Sequence, residues 1–173
     1  KVGKNVLAVA NLTASENISG SSSRGPAHDG RIKPEVSAVG TNVMSTTNPN
    51  SYVSKSGTSM SCPGVSGTLA QLYQAYKENQ NEEPYAGLMK AILMNTADDL
   101  GNPGPDFIYG YGRINARKAA LTIEQSNFII DSLTNGNSKT FTLNVPPGTQ
   151  EVKVMLHWTD FEGVQNRSNE ALL

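Results

Sequence analysis

Gly57-Thr58-Ser59-Met60-Ser61-Cys62-Pro63 runs straight into Val65, Leu69, Leu72 and Tyr76. Those apolar residues recur at helical spacing, with Gln71, Gln74 and Lys77 among the polar positions, so a helix is predicted to begin near Ser59. Pro63 falls in its first turn or so, where a missing N–H costs least. Gly64, Gly67 and Ala70 are spaced by three. Such a small stripe lets a helix approach a sheet closely, although each interior Gly costs about 1 kcal/mol. Ser59 would sit at the helix N-terminus, where the backbone N–H is free and the dipole favours negative charge. A serine so placed could attack a carbonyl and help hold the resulting oxyanion. Gly57 would let the backbone turn sharply and a substrate approach. The structural alternative is that Thr58 or Ser59 simply caps the helix. The stretch is not the Gly-x-Ser-x-Gly elbow, because position 61 is Ser.

Upstream, Asn5–Asn11 is a short continuous apolar run that fits a buried strand. Ser19–Gly30 is small, polar and Gly/Pro-bearing, which is loop composition. Pro34–Ser45 carries strand signals around Val36 and Val43, and Asn48–Lys55 is turn-rich. Downstream, Tyr85, Leu88, Met89, Ile92 and Leu93 form one helical face within a predicted helix over Pro84–Thr96, with Pro84 suited to its first position. A Gly/Pro/Asp loop over 101–112 precedes a short predicted helix, Asn115–Ile123. After Glu124 the pattern changes. Thr140–Val145 alternates with period two, and so do Val152, Val154, Leu156 and Trp158. That is the pattern of antiparallel strands. The predicted units are residues 1–124 and 125–173, the second too short for an independent sandwich.

Composition narrows the function classes. The 173 residues carry 14 basic and 15 acidic side chains, a balance with no electrostatic footprint for nucleic acid. No apolar run approaches the about 20 residues of a membrane span. The single cysteine, Cys62, excludes an internal disulfide framework and an all-Cys zinc site. It is expected to be a small buried residue, with a reactive thiol near the helix N-terminus as the alternative. Oxygen ligands gather at Asp98-Asp99 and Asn102–Asp106 without Ca²⁺-loop spacing, so no metal site is assigned. Asn11, Asn17 and Asn166 head Asn-x-Ser/Thr tripeptides. Lys1 is not an initiator Met and no signal-peptide pattern follows it, so the expectation is a piece of a longer protein.

The stretch from Gly57 resembles the serine signature of the subtilisin-like serine proteases, Gly-Thr-Ser-x-Ser/Ala-x-Pro-x-x-small-Ala/Gly. Gly57, Thr58, Ser59, Ser61, Pro63, Ser66 and Gly67 stand in register with it. Ser22-Ser23-Arg24-Gly25-Pro26 and Asp29–Val36 are similar to the segment that precedes that serine. Tyr111-Gly112-Arg113-Ile114-Asn115-Ala116 is similar to the block that closes the catalytic domain. The resemblance covers about residues 5–124. It implies an α/β fold, the C-terminal part of a three-layer parallel-sheet domain. Residues 127–173, and Val154–Asp160 above all, look like the start of a following antiparallel, jelly-roll-like β-sandwich, here incomplete. Two departures are Gly64, where many relatives have His, and Ala38-Val39-Gly40, where many have Ala-Pro-Gly.

The resemblance further implies that Ser59 is the nucleophile of a peptide-bond hydrolase. The Ser59 N–H would donate to the oxyanion, with Thr58 and Gly57 beside it. A serine protease also needs a base and a carboxylate that orients the base. The family's Asp-Ser/Thr-Gly and His-Gly-Thr motifs do not occur here, and the only histidines are His28 and His157. His28 is expected in a solvated loop, and His157 on a strand surface or interface. No triad is therefore assigned within this chain, and the chain alone is expected to be inactive. By the same resemblance the substrate is a protein or peptide, the location is secreted or cell-envelope, and structural calcium occurs in the parent. A raw sheet edge implies pairing with another copy, with the missing N-terminal part or with a partner. The alternative from another class is a degenerate subtilase that binds peptides without cutting them.

Overall fold

The computed structural model describes residues 3–159. The elements are β1 (Val9–Leu12), β2 (Val36–Val39), β3 (Val43–Thr47), β4 (Ser51–Lys55), α1 (Thr58–Gln80), α2 (Ala86–Asn95) and α3 (Ala116–Glu124). β1 and β2 pair in parallel with Val9 opposite Val36. Ala10, Leu12, Val36 and Ala38 are all buried, as a parallel sheet covered on its faces requires. The far side of β2 is bridged by the closing block: Ser37 N–H donates to Gly112 O and Ile114 N–H to Ser37 O. Among the described residues no strand lies beside the other edge of β1. β3 and β4 form an antiparallel hairpin, Val43 opposite Lys55. The turn-rich reading of 48–55 therefore holds only for its first residues; β-branched and aromatic Tyr52 and Val53 make the rest a strand.

The helices follow the apolar periodicity, with shifted ends. α1 buries Ser61, Val65, Leu72 and Tyr76 and stops at Asn81, whose left-handed backbone lets its N–H bond Lys77 O. α2 starts at Ala86, with Tyr85 as N-cap. Pro84 thus lies outside the helix it was expected to open. α3 is capped by Asn115, whose side chain accepts the Lys118 N–H. α1 packs on β1, β2 and α3, and α2 on α3. The core joins Val36 and Ala38 to Val65, Leu72 and Tyr76, then to Met89, Ile92, Leu93, Ala119 and Ile123. Full burial of each large side chain contributes about 1.5–3 kcal/mol.

The glycine stripe behaves otherwise than expected. A Cβ built on Gly64 or Gly67 meets nothing within 4 Å, and Ala70 is exposed. At about 100° per residue these positions lie away from the Ser61–Val65 face that touches the sheet. One face of α1, from Ser59 through Cys62, Ser66, Gly67 and Ala70, is thus uncovered by the described residues.

No strand forms between residues 127 and 159. The expected strands over 140–145 and 152–158 lack a neighbour to pair with among the described residues, and an unpaired ladder gains no hydrogen bonds. The segment is tied to the body at a few points. Phe128 stacks at a tilt on Tyr76, centroids 5.7 Å apart. Asn95 Nδ2 donates to Lys153 O at 3.3 Å, and Met155 packs against the core.

Candidate active site

The start of α1 is set by glycines. Gly57, the N-cap, has φ 152°, a backbone conformation that side chains disfavour. Its N–H donates to Gly40 O at 2.8 Å, and its carbonyl accepts Met60 N–H and Ser61 N–H. Gly40 lies directly under this turn: a Cβ there would stand 2.1 Å from Ser61 Oγ and 2.6 Å from Gly57 O. The loss of a proline at position 39 therefore leaves intact the contact that matters, a glycine against the first turn.

No side chain caps α1. Thr58 and Ser59 are both exposed, and their hydroxyls are free of the capping role that composition alone allowed. The first helical N–H groups with acceptors are those of Met60 and Ser61. The N–H groups of Thr58 and Ser59 have no acceptor among the described residues. A helix N-terminus with free donors and a nearby hydroxyl can receive an anionic oxygen while the hydroxyl forms a bond.

The sequence blocks singled out above are tied to β1, to the start of β2 and to one another. Ser22 Oγ accepts Asn11 N–H at 3.0 Å. Gly25 N–H donates to Phe107 O, and Tyr111 N–H to Glu35 O. Lys33 pairs with Glu35 and donates to Val6 O at 3.0 Å. Glu35 Oε2 accepts Ala8 N–H at 2.6 Å. The largely buried pair therefore ties the chain before β1 to the chain before β2.

The closing block is held by charge. Asp98 accepts from Arg113 at 2.9 Å, Asn115 at 2.9 Å and Lys118 at 2.7 Å, and Arg113 also pairs with Glu16. Burial by itself would raise the Asp98 carboxyl, but Lys118, Arg113 and Asn115 together hold it down at about 2.

Other expectations meet a mixed outcome. Cys62 is exposed rather than buried, because it falls on the uncovered face of α1. His28 is exposed in its loop. His157 is half-buried against α2, where a Cβ on Gly87 would come within 3.3 Å of its Nδ1. Burial, and then the charge of Lys90, push its pKa below the ordinary histidine value. His157 Nδ1 has no hydrogen-bond partner among the described residues. Among the described residues no three His, Cys, Asp or Glu side chains gather as a metal site. No described helix is long and apolar enough to cross a membrane. Asn11 is fully buried and cannot carry a glycan in this fold. Sequence reading missed Asn11 and the role of Gly40; the available signal was a polar residue closing an apolar strand.

Residues 2–112 match the subtilase family profile, Peptidase_S8. The chain belongs to the subtilase family. Serine protease AprX of Bacillus subtilis is 34% identical over 126 residues, covering 63% of this chain and 27% of that protein. Minor extracellular protease Vpr of the same organism is 35% identical over 147 residues, covering 74% of this chain and 18% of that protein. The C5a peptidase of Streptococcus pyogenes is 31% identical over 144 residues, 79% of this chain and 12% of that protein. The chain therefore spans about an eighth to a quarter of the length of these relatives. The solved CspB protease of Clostridium perfringens superposes with a TM-score of 0.63 at 30% identity, over 68% of this chain and 26% of that one. Subtilase homology extends through the Ser59 turn and the Asp29–Glu35 block to the start of the closing block.

Proposed function

We propose that the whole protein is a subtilisin-like serine endopeptidase and that Ser59 is its nucleophile. The observation that carries this reading is the start of α1: an exposed Ser59 beside a backbone N–H with no acceptor among the described residues. The Ser59 oxygen attacks the carbonyl carbon of a peptide bond as a histidine takes its proton. The resulting oxyanion accepts from the Ser59 N–H, with Gly57 and Thr58 forming the adjoining wall. Collapse expels the amine, which takes the proton from the histidine, and leaves an ester on Ser59 that water hydrolyses. The histidine, its orienting aspartate and any side-chain oxyanion donor come from parts of the protein outside these residues. Residues 1–173 alone are inactive on this reading, because the base and its partner supply several powers of ten in rate. The name of the extracellular relative supports a location outside the cell.

The test is covalent labelling with a fluorophosphonate, which needs an activated serine. The full-length protein should be labelled on Ser59, lose labelling in Ser59→Ala and cleave casein. Residues 1–173 alone should do neither. A full-length protein that binds peptides yet is neither labelled nor cleaves them would replace this reading with that of a binding module.

A further inference from the structure

A buried amide lies directly behind the start of α1. Asn11 has no exposed surface, yet its side-chain NH₂ has no partner among the described residues. An orphaned buried donor costs about 1–3 kcal/mol, whereas an apolar residue of similar size avoids that cost. The oxygen end of the same amide is fully occupied. Asn11 Oδ1 accepts from Thr41 Oγ1 at 3.2 Å and from Ser61 Oγ at 3.4 Å. Ser61 is itself fully buried and stands two residues after Ser59, on the inward side of the same turn.

The amide is held firmly from behind. Asn11 N–H donates to Ser22 Oγ at 3.0 Å, and Asn11 O accepts Ser19 N–H at 2.9 Å. Next along β1, Leu12 O accepts Gly40 N–H at 3.0 Å, and Gly40 O accepts Gly57 N–H at 2.8 Å. The side chain of Asn11 thus runs parallel to a backbone relay that leads from β1 through Gly40 to the cap of α1.

We propose that Asn11 is a positioning residue for Ser59. Through Ser61 and Thr41 it fixes the first turn of α1 against β1, and so sets where the Ser59 hydroxyl and N–H stand. The inference rests on the reading of Ser59 as nucleophile. Misplacing a reacting group by about 1 Å can cost about 10²-fold in rate, so a stability loss is a fair exchange for a fixed turn.

The test compares Asn11→Leu, Ser61→Ala and the double variant in the full-length protein. Asn11→Leu should lower kcat about tenfold, leave KM within about twofold and leave Tm unchanged or higher. Ser61→Ala should lower kcat less, and the double variant should be no slower than Asn11→Leu, because both act on one contact. Wild-type kcat in Asn11→Leu, whatever its Tm, would overturn the inference; so would fully additive losses in the double variant. If Asn11→Leu does not fold, Ser61→Ala and Thr41→Val decide on the same kcat-against-Tm criterion. Fluorophosphonate labelling separates the two readings. An unlabelled wild-type Ser59 refutes the nucleophile itself. Labelling of Asn11→Leu at the wild-type rate refutes only the positioning role.

Discussion

Residues 86–95 and 151–158 lie against each other, and both carry apolar side chains at regular spacing, yet only the first buries them. In α2, Met89, Ile92, Leu93 and Met94 are exposed by 6, 4, 0 and 7%. In the later segment, Val152, Val154, Leu156 and Trp158 are exposed by 52, 71, 84 and 67%. A helix satisfies its backbone within itself and needs only one face to pack. A strand needs a neighbour for its hydrogen bonds and a second layer for its side chains. Alternation persists in the later segment, but with the inward places taken by Met155 and His157, which rest on the α-helical body. The outward apolar row has no cover among the described residues.

The largest test of this contrast is a pair of truncations in urea melts of the chain. Leu93→Ala should cost about 2–5 kcal/mol, as buried leucines do. Leu156→Ala, at 84% exposure, should change stability by less than about 0.5 kcal/mol. Similar costs for the two would show that the outward row is in fact covered in solution.

A second test sharpens what holds the body together. Asp98 is depressed from 3.8 to about 2 in the fold. Its ionised form is therefore favoured by folding, and the stabilisation is present above pH about 4 and lost as pH falls through about 2. The loss should be about 2 kcal/mol. Acid melts of Asp98→Asn should lack it; an unchanged pH slope would remove Asp98 from the account.

The smallest effect probes the uncovered face of α1. Gly67→Ala should stabilise the chain alone by about 1 kcal/mol, since the helix gains propensity and the new Cβ meets nothing. Cover over that face in the full-length protein would make the same change neutral or destabilising there. A gain of the same size in both would mean that α1 stays open to solvent.

Much of the body was legible. Helical periodicity located α1, α2 and α3 to within a few residues, because Val65, Leu72, Met89, Ile92 and Ile123 face one core. The strand run before Asn11 and the signal at Val36 were readable as well, although not that the two would pair. The Ser59 turn was legible as a motif. Its two readings, cap or nucleophile, looked alike in sequence, because serine is favoured at a helix start for either reason. The glycine stripe misled, since spacing by three does not reveal which face a helix turns to its sheet.

What the sequence by itself determined is local: where helices run, where the chain turns, and which serine heads the longest helix. Only the tertiary structure decided that Gly57, not Thr58 or Ser59, caps that helix, and that Gly40 and Asn11, 17 and 46 residues upstream of Gly57 by subtraction of their positions, support its first turn. Periodicity and turn chemistry act over a few residues. A close approach of backbone to backbone, or a buried amide reaching two hydroxyls, depends on which distant segments the core brings together.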